Sequence, residues 1–75
     1  MRRAGIAVTA TQGVLVLERE SGDPPSIGTA VVDESLDRIG KIVDVIGPVE
    51  QPYLVVSPES STETARVLGE ILYIR

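Results

Sequence analysis

The 75-residue chain has no cysteine, no histidine, no tryptophan and no phenylalanine. Each absence removes a class of chemistry. Without cysteine there is no disulfide, no thiolate metal site and no thiol nucleophile. Without histidine the commonest general base and metal ligand are missing, and serine or threonine hydroxyls have no imidazole to activate them. Two tyrosines are the only aromatic residues. The core must then be packed from small aliphatics, and few side chains are left on which unpaired bases could stack. Long apolar runs are also missing, since nothing approaches the roughly 18 residues that span a bilayer. Gly5, Thr9, Thr11, Gln12 and Gly13 interrupt the stretch after the basic Met1-Arg2-Arg3, unlike a signal peptide. These features predict a cytoplasmic protein without a membrane role. Basic charge is scarce: seven Lys and Arg stand against eleven Asp and Glu, a formal net charge of −4. Nucleic-acid binders draw much of their affinity from neutralised phosphates, so this balance favours a protein partner.

No set of residues in the chain makes an active site. Lys41, the only lysine, lies within an apolar run, and no glycine pattern matches a phosphate loop. Asp33, Glu34 and Asp37 lack the spacing of a calcium loop and read as a solvated turn with Leu36 tucked inward. The expectation is a protein that is not an enzyme, with no catalytic residue, metal, cofactor or small-molecule ligand.

What the chain has is β-branched aliphatics. Val, Ile and Leu make up 24 residues, and 18 of these are Val or Ile. Such side chains suit a pleated surface better than a helix. At 75 residues one domain, 1–75, is expected, near the lower size for a self-sufficient core. Ala4–Thr9 alternates, with Ile6 and Val8 on one face and small Gly5, Ala7 and Thr9 on the other, the small residues taken as outward. A turn at Thr11-Gln12-Gly13 leads to Val14–Leu17, apolar on both faces, so that this strand is either covered on both sides or meets a partner on one. Ser21–Ser26, with Pro24-Pro25, is an extended loop. Ile27–Val32 predicts a third strand. Arg38–Ile46 predicts a fourth, whose broken alternation calls for a bulge or bend near Gly40. Tyr53–Val56 is the fifth and Val67–Ile74 the sixth. Ser60-Ser61-Thr62-Glu63 fits a capping box before a single helical turn, or a plain surface loop. Six short strands with turn signals between them predict an all-β fold, a small closed six-stranded antiparallel barrel.

Between strands four and five lies Gly47-Pro48-Val49-Glu50-Gln51-Pro52. Pro48 and Pro52 fix φ and lack N–H donors, so neither belongs inside a paired strand. The linker is longer and stiffer than an ordinary hairpin turn. It reads as a loop built to present a surface, although the same residues also suit a simple turn.

Val31-Val32-Asp33, then Ile39–Val49 (IGKIVDVIGPV), then Pro52-Tyr53 and Pro58 resemble the archaeal members of the Gar/Naf family, the small β-barrel subunits of box H/ACA ribonucleoproteins. The resemblance extends to Gly5 and to Leu68–Tyr73, nearly the whole chain. It implies a barrel of the elongation-factor/reductase-isomerase type. It also implies a non-catalytic subunit of an RNA-guided pseudouridylation particle that acts on ribosomal RNA. Its partner would be the catalytic domain of a dyskerin-type pseudouridine synthase, whose mobile substrate-gripping loop it would hold open. Guide RNA would be met only indirectly, through the particle. The partner-binding residues so implied are Val31, Val32, Lys41, Ile46, Gly47, Pro48, Val49, Pro52 and Tyr53. Two positions depart from the family pattern: Ile46 stands where a Phe is usual, and Ser57 where a Lys is frequent. Two other readings share the Gly40–Val45 strand or the barrel shape: a PRC-type barrel serving ribosome maturation, and a direct RNA-binding barrel.

Overall fold

The computed structural model describes residues 2–19, 24–48, 50–60 and 62–74. Six strands, β1 (Arg2–Thr11), β2 (Val14–Glu18), β3 (Ala30–Val32), β4 (Arg38–Ile46), β5 (Tyr53–Pro58) and β6 (Ile71–Ile74), close into a barrel. Their order around it is β1-β2-β5-β4-β3-β6, and every neighbouring pair is antiparallel. The predicted fold is the observed one. A short helix, α1 (Thr64–Val67), precedes β6 and buries Val67 in the core.

The interior is filled by large aliphatics from most strands. Leu15 and Leu17 of β2, Val31 of β3, Ile42 of β4, Leu54 and Val56 of β5 and Leu72 of β6 are all fully buried. β1 instead contributes Ala4 and Ala7, with Ala10 packed against the same cluster. Small barrels commonly balance large against small inward residues in this way.

The two long strands bend the barrel. β1 carries an extra residue at Ala4 against β6 and another at Val8 against β2. β4 carries one at Ile39 against β3 and another at Val43 against β5. The irregularity expected near Gly40 thus occurs as two bulges, one on each side of it. A bulge leaves one residue unpaired, increases local twist and shifts side-chain parity. This corrects the reading of the first strand, because Ala4 and Ala7 pack into the core and Gly5 is buried, whereas Ile6 and Val8 are 44% and 46% exposed. The Ile39 bulge has its own support, since its carbonyl accepts from the Glu59 N–H (2.8 Å) and the Thr62 hydroxyl (3.0 Å).

Three further expectations are revised. The third strand is shorter than Ile27–Val32: Ile27-Gly28 forms a turn closed by the Thr29 N–H on the Ser26 carbonyl (3.1 Å), and the strand itself begins at Ala30, after Gly28 and Thr29 have exchanged backbone bonds with Ile42 (2.7 and 3.0 Å). The sixth begins at Ile71, because the chain through Val67 is helical and Gly69 takes φ +86°. Leu36 is not tucked inward but 48% exposed. The helical turn does form, with Glu63 at its N-cap and no side-chain cap bond, so the capping box is not what starts it. Ser61 of that motif lies outside the described residues. Asp33 instead organises its turn, and its Oδ1 accepts from the Ser35 N–H (2.9 Å) and the Asp37 N–H (3.0 Å).

Candidate functional site: the loop between β4 and β5 and the sheet face below it

Strands β4 and β5 end together at the pair Ile46↔Tyr53, and the loop springs from that pair. Gly47 takes φ +89°, a conformation side chains disfavour. A Cβ there would lie 3.0 Å from the Gln51 carbonyl oxygen and 3.0 Å from Tyr53 Cδ2. The Tyr53 ring therefore packs against the bare glycine backbone. The Gln51 N–H closes a turn onto the Pro48 carbonyl (3.1 Å). The loop is also fastened to the end of β2. The Arg19 N–H donates to the Pro52 carbonyl (3.2 Å), and Gln51 Nε2 donates to the Arg19 carbonyl (3.0 Å). The stiffness predicted from two prolines is thus reinforced from 32 residues away in sequence.

The predicted residues that the structure describes separate into four groups. Ile46, Gly47 and Pro48 are exposed, and Tyr53 is half-buried beside them. Pro52 is buried at the loop's base, where it shapes the loop and presents little surface. Val31 and Val32 are buried, 0% and 2% exposed, Val31 within the core cluster, so neither side chain is open to a partner in the free chain. Lys41 is exposed on the outer face but pairs with Ser57, four residues along β5 from Tyr53. At about 3.3 Å per residue that is roughly 13 Å from the loop. Val49 lies outside the described residues.

Strand register shows what the sequence reading left out. Ile71, Ile6, Glu18, Tyr53 and Ile46 are successive cross-strand partners from β6 through β1, β2 and β5 to β4. They form one outward row running across the barrel to the loop. A second row, Thr9, Val16, Val55 and Asp44, lies directly below, flanked by the bulged and exposed Val8 and Val43. The face is apolar, with acids set into it. The both-sided apolar run Val14–Leu17 signalled half of this face. The outward turn of Ile6 and Val8 was hidden by the bulges.

The comparisons with known proteins agree with this architecture. The family model described as "Gar1/Naf1 RNA binding region" matches residues 1–75. A solved structure described as "Structure of the Gar1 domain of NAf1" superposes with a TM-score of 0.74 at 15% identity, covering 99% of this chain and 81% of that one. No curated protein matches in sequence. A match over the full length, together with this six-stranded barrel, shows that the chain belongs to the Gar1/Naf1 family, a family of ribonucleoprotein-associated, RNA-binding proteins and not of catalysts.

Proposed function

We propose that this chain is a non-catalytic docking subunit of an H/ACA-type pseudouridylation particle, and that it binds the catalytic domain of a dyskerin-type pseudouridine synthase. The observation that carries the proposal is the outward row Ile71–Ile6–Glu18–Tyr53–Ile46, ending at a loop pinned in place from β2. Complete burial of an aliphatic side chain is worth about 1.5–3 kcal/mol. Ile6 and Ile46, 44% and 46% exposed, therefore each retain roughly 1 kcal/mol to gain on docking. A pinned loop also loses little conformational freedom when a partner closes on it. The proposed consequence is that the bound barrel holds the synthase's mobile substrate loop away from its closed position, favouring substrate loading and product release.

The test is calorimetric titration of this chain into such a synthase with no RNA present. One-to-one binding, together with a larger gain in multiple-turnover than in single-turnover modification, is expected. No heat and no co-elution would refute the docking, and stable association with ribosomal particles instead would favour the maturation reading. The family description names RNA binding, so a second reading is direct RNA contact by this face. Glu18 and Asp44 within the rows, and the net charge of −4, weigh against it. Nanomolar binding of free guide RNA at physiological salt, with a steep salt dependence, would establish it.

A further inference from the structure

Beside the docking row a pocket of about 160 Å³ opens between β1, β2 and β6. Arg3 and Arg19 line it with Glu18, and Ala4, Ile6 and Ile71 form its apolar wall. Two of the three guanidinium nitrogens of Arg19, Nε and Nη1, are buried without a hydrogen-bond partner among the described residues. A buried charged donor left unpaired is costly, and native structures rarely tolerate it without a reason. The backbone is arranged to admit that side chain. Gly5 also lines the pocket, and a Cβ there would lie 2.6 Å from the Glu18 carbonyl oxygen and 3.2 Å from Arg19 Cβ. The Arg19 backbone is meanwhile the clamp of the Gly47–Pro52 loop. The pocket and the docking loop are therefore fixed to the same residue.

We infer that this pocket is the seat for a carboxylate side chain, Asp or Glu, supplied by the docked protein partner; the inference rests on the docking reading above. Arginine is the residue best suited to bind a carboxylate in a partly desolvated site. Arg3 adds a second cation and Glu18 one acid, so the lining carries a net charge of +1, matched by a single carboxylate. A nucleic-acid backbone would bring a run of phosphates against Glu18 and the acids of the neighbouring rows. The apolar wall suits the methylene stem of an acidic side chain.

The test has two arms, both on the full chain. In the first, sodium acetate is titrated at constant ionic strength while the Nε–Hε resonances of the arginines are followed by NMR. The Arg19 signal should shift saturably, ahead of those of Arg2, Arg38 and Arg66, and Arg3→Gln should weaken the response. In the second, synthase binding is compared for the parent, Arg19→Met and Arg3→Gln. Arg19→Met should bind about 10–100-fold more weakly, the range expected for a hydrogen-bonded charge. Its melting temperature should not fall, because the substitution removes buried guanidinium nitrogens that lack a partner among the described residues and keeps the backbone clamp. Arg3→Gln, at an exposed strand position, should bind several-fold more weakly. If the parent binds the synthase and both variants bind equally well, the inference is overturned and the docking reading stands. If the parent does not bind, the docking reading falls, and with it the partner assignment, while the acetate arm still decides whether the pocket takes a carboxylate. A response of Arg19 to inorganic phosphate but not acetate, or Arg19-dependent binding of RNA, would give the pocket to a phosphodiester and overturn the inference.

Discussion

Two turns bound β4, and both reverse the chain through a residue with positive φ. Before the strand it is Leu36, at +68°; after it, Gly47, at +89°. The first turn is self-contained. Asp33 Oδ1 accepts from the Ser35 and Asp37 N–H groups, the Asp33 N–H donates to the Asp37 carbonyl (3.0 Å), and the Leu36 N–H donates to the Asp33 carbonyl (3.0 Å). Among the described residues, the second has one bond of its own, Gln51 N–H to Pro48, and two that reach Arg19. A locally closed turn can sit on any barrel. A turn fastened to a distant strand holds its shape only relative to that strand. That is what the proposed docking surface, spanning β1, β2, β5 and β4, would require of its loop.

The largest effect should come from breaking the self-contained turn. Asp33 is buried, and its carboxylate serves two backbone donors. Asp33→Ala should cost about 2–3 kcal/mol, from lost charge-assisted bonds and the donors left behind. At roughly 4–8 °C per kcal/mol for a domain of this size, thermal unfolding should move down by about 10 °C or more. Asp33→Asn, which keeps Oδ1 as an acceptor, should recover most of that. Synthase affinity of the folded Asp33→Ala variant should match the parent. A parallel loss of affinity would erase the distinction between the two turns.

Gly47→Ala comes next. The left-handed conformation costs an L-residue about 1–2 kcal/mol, and the new Cβ would press on Tyr53 and the Gln51 carbonyl. Here the expected signature is the reverse, a modest loss in thermal melts with synthase affinity down by about tenfold or more in calorimetry. Gln51→Ala should be milder still, about 0.5–1.5 kcal/mol for one side-chain bond. Its specific mark is faster hydrogen exchange at the Arg19 amide, which donates to Pro52 in the same clamp. Unchanged exchange there would mean that Gln51 does not hold the loop to β2.

How legible these regions were in the sequence follows from how far apart their partners lie. β4 was readable end to end as Arg38–Ile46, because an acidic turn precedes it and Gly47-Pro48 stops it. Closure of six short strands was readable from their number and spacing. The position of the stiffened loop between β4 and β5 was readable from Pro48 and Pro52. The inner face of β1 was not, since period-two parity holds only between bulges, and bulges at Ala4 and Val8 bring Ala4, Ala7 and Ala10 to the same side. Val31 and Val32 looked like contacts on family resemblance, but both are almost completely covered within the folded chain. The Arg19 clamp left no local signal, because its two ends meet only when β2 pairs with β5.

The smallest effect belongs to one half of the most direct comparison of the two turns, an exchange of their positive-φ residues. Leu36→Gly removes the strain of a branched side chain at φ +68°, worth about 1 kcal/mol. Against that, glycine adds freedom to the unfolded chain, costing about 0.4–1 kcal/mol, and the buried half of Leu36 is lost. With that half worth about 1 kcal/mol, the losses exceed the gain, so the variant should be destabilised by about 0.5–1 kcal/mol in denaturant unfolding, with full synthase affinity. Gly47→Leu carries the same strain with none of the compensation, because Tyr53 and the Gln51 carbonyl already occupy the space. It should lose more stability than Gly47→Ala and bind no better. A Leu36→Gly loss well above 1 kcal/mol would mean that Leu36, though half exposed, is held by contacts its turn needs, and the first turn would then be less self-contained than its hydrogen bonds make it.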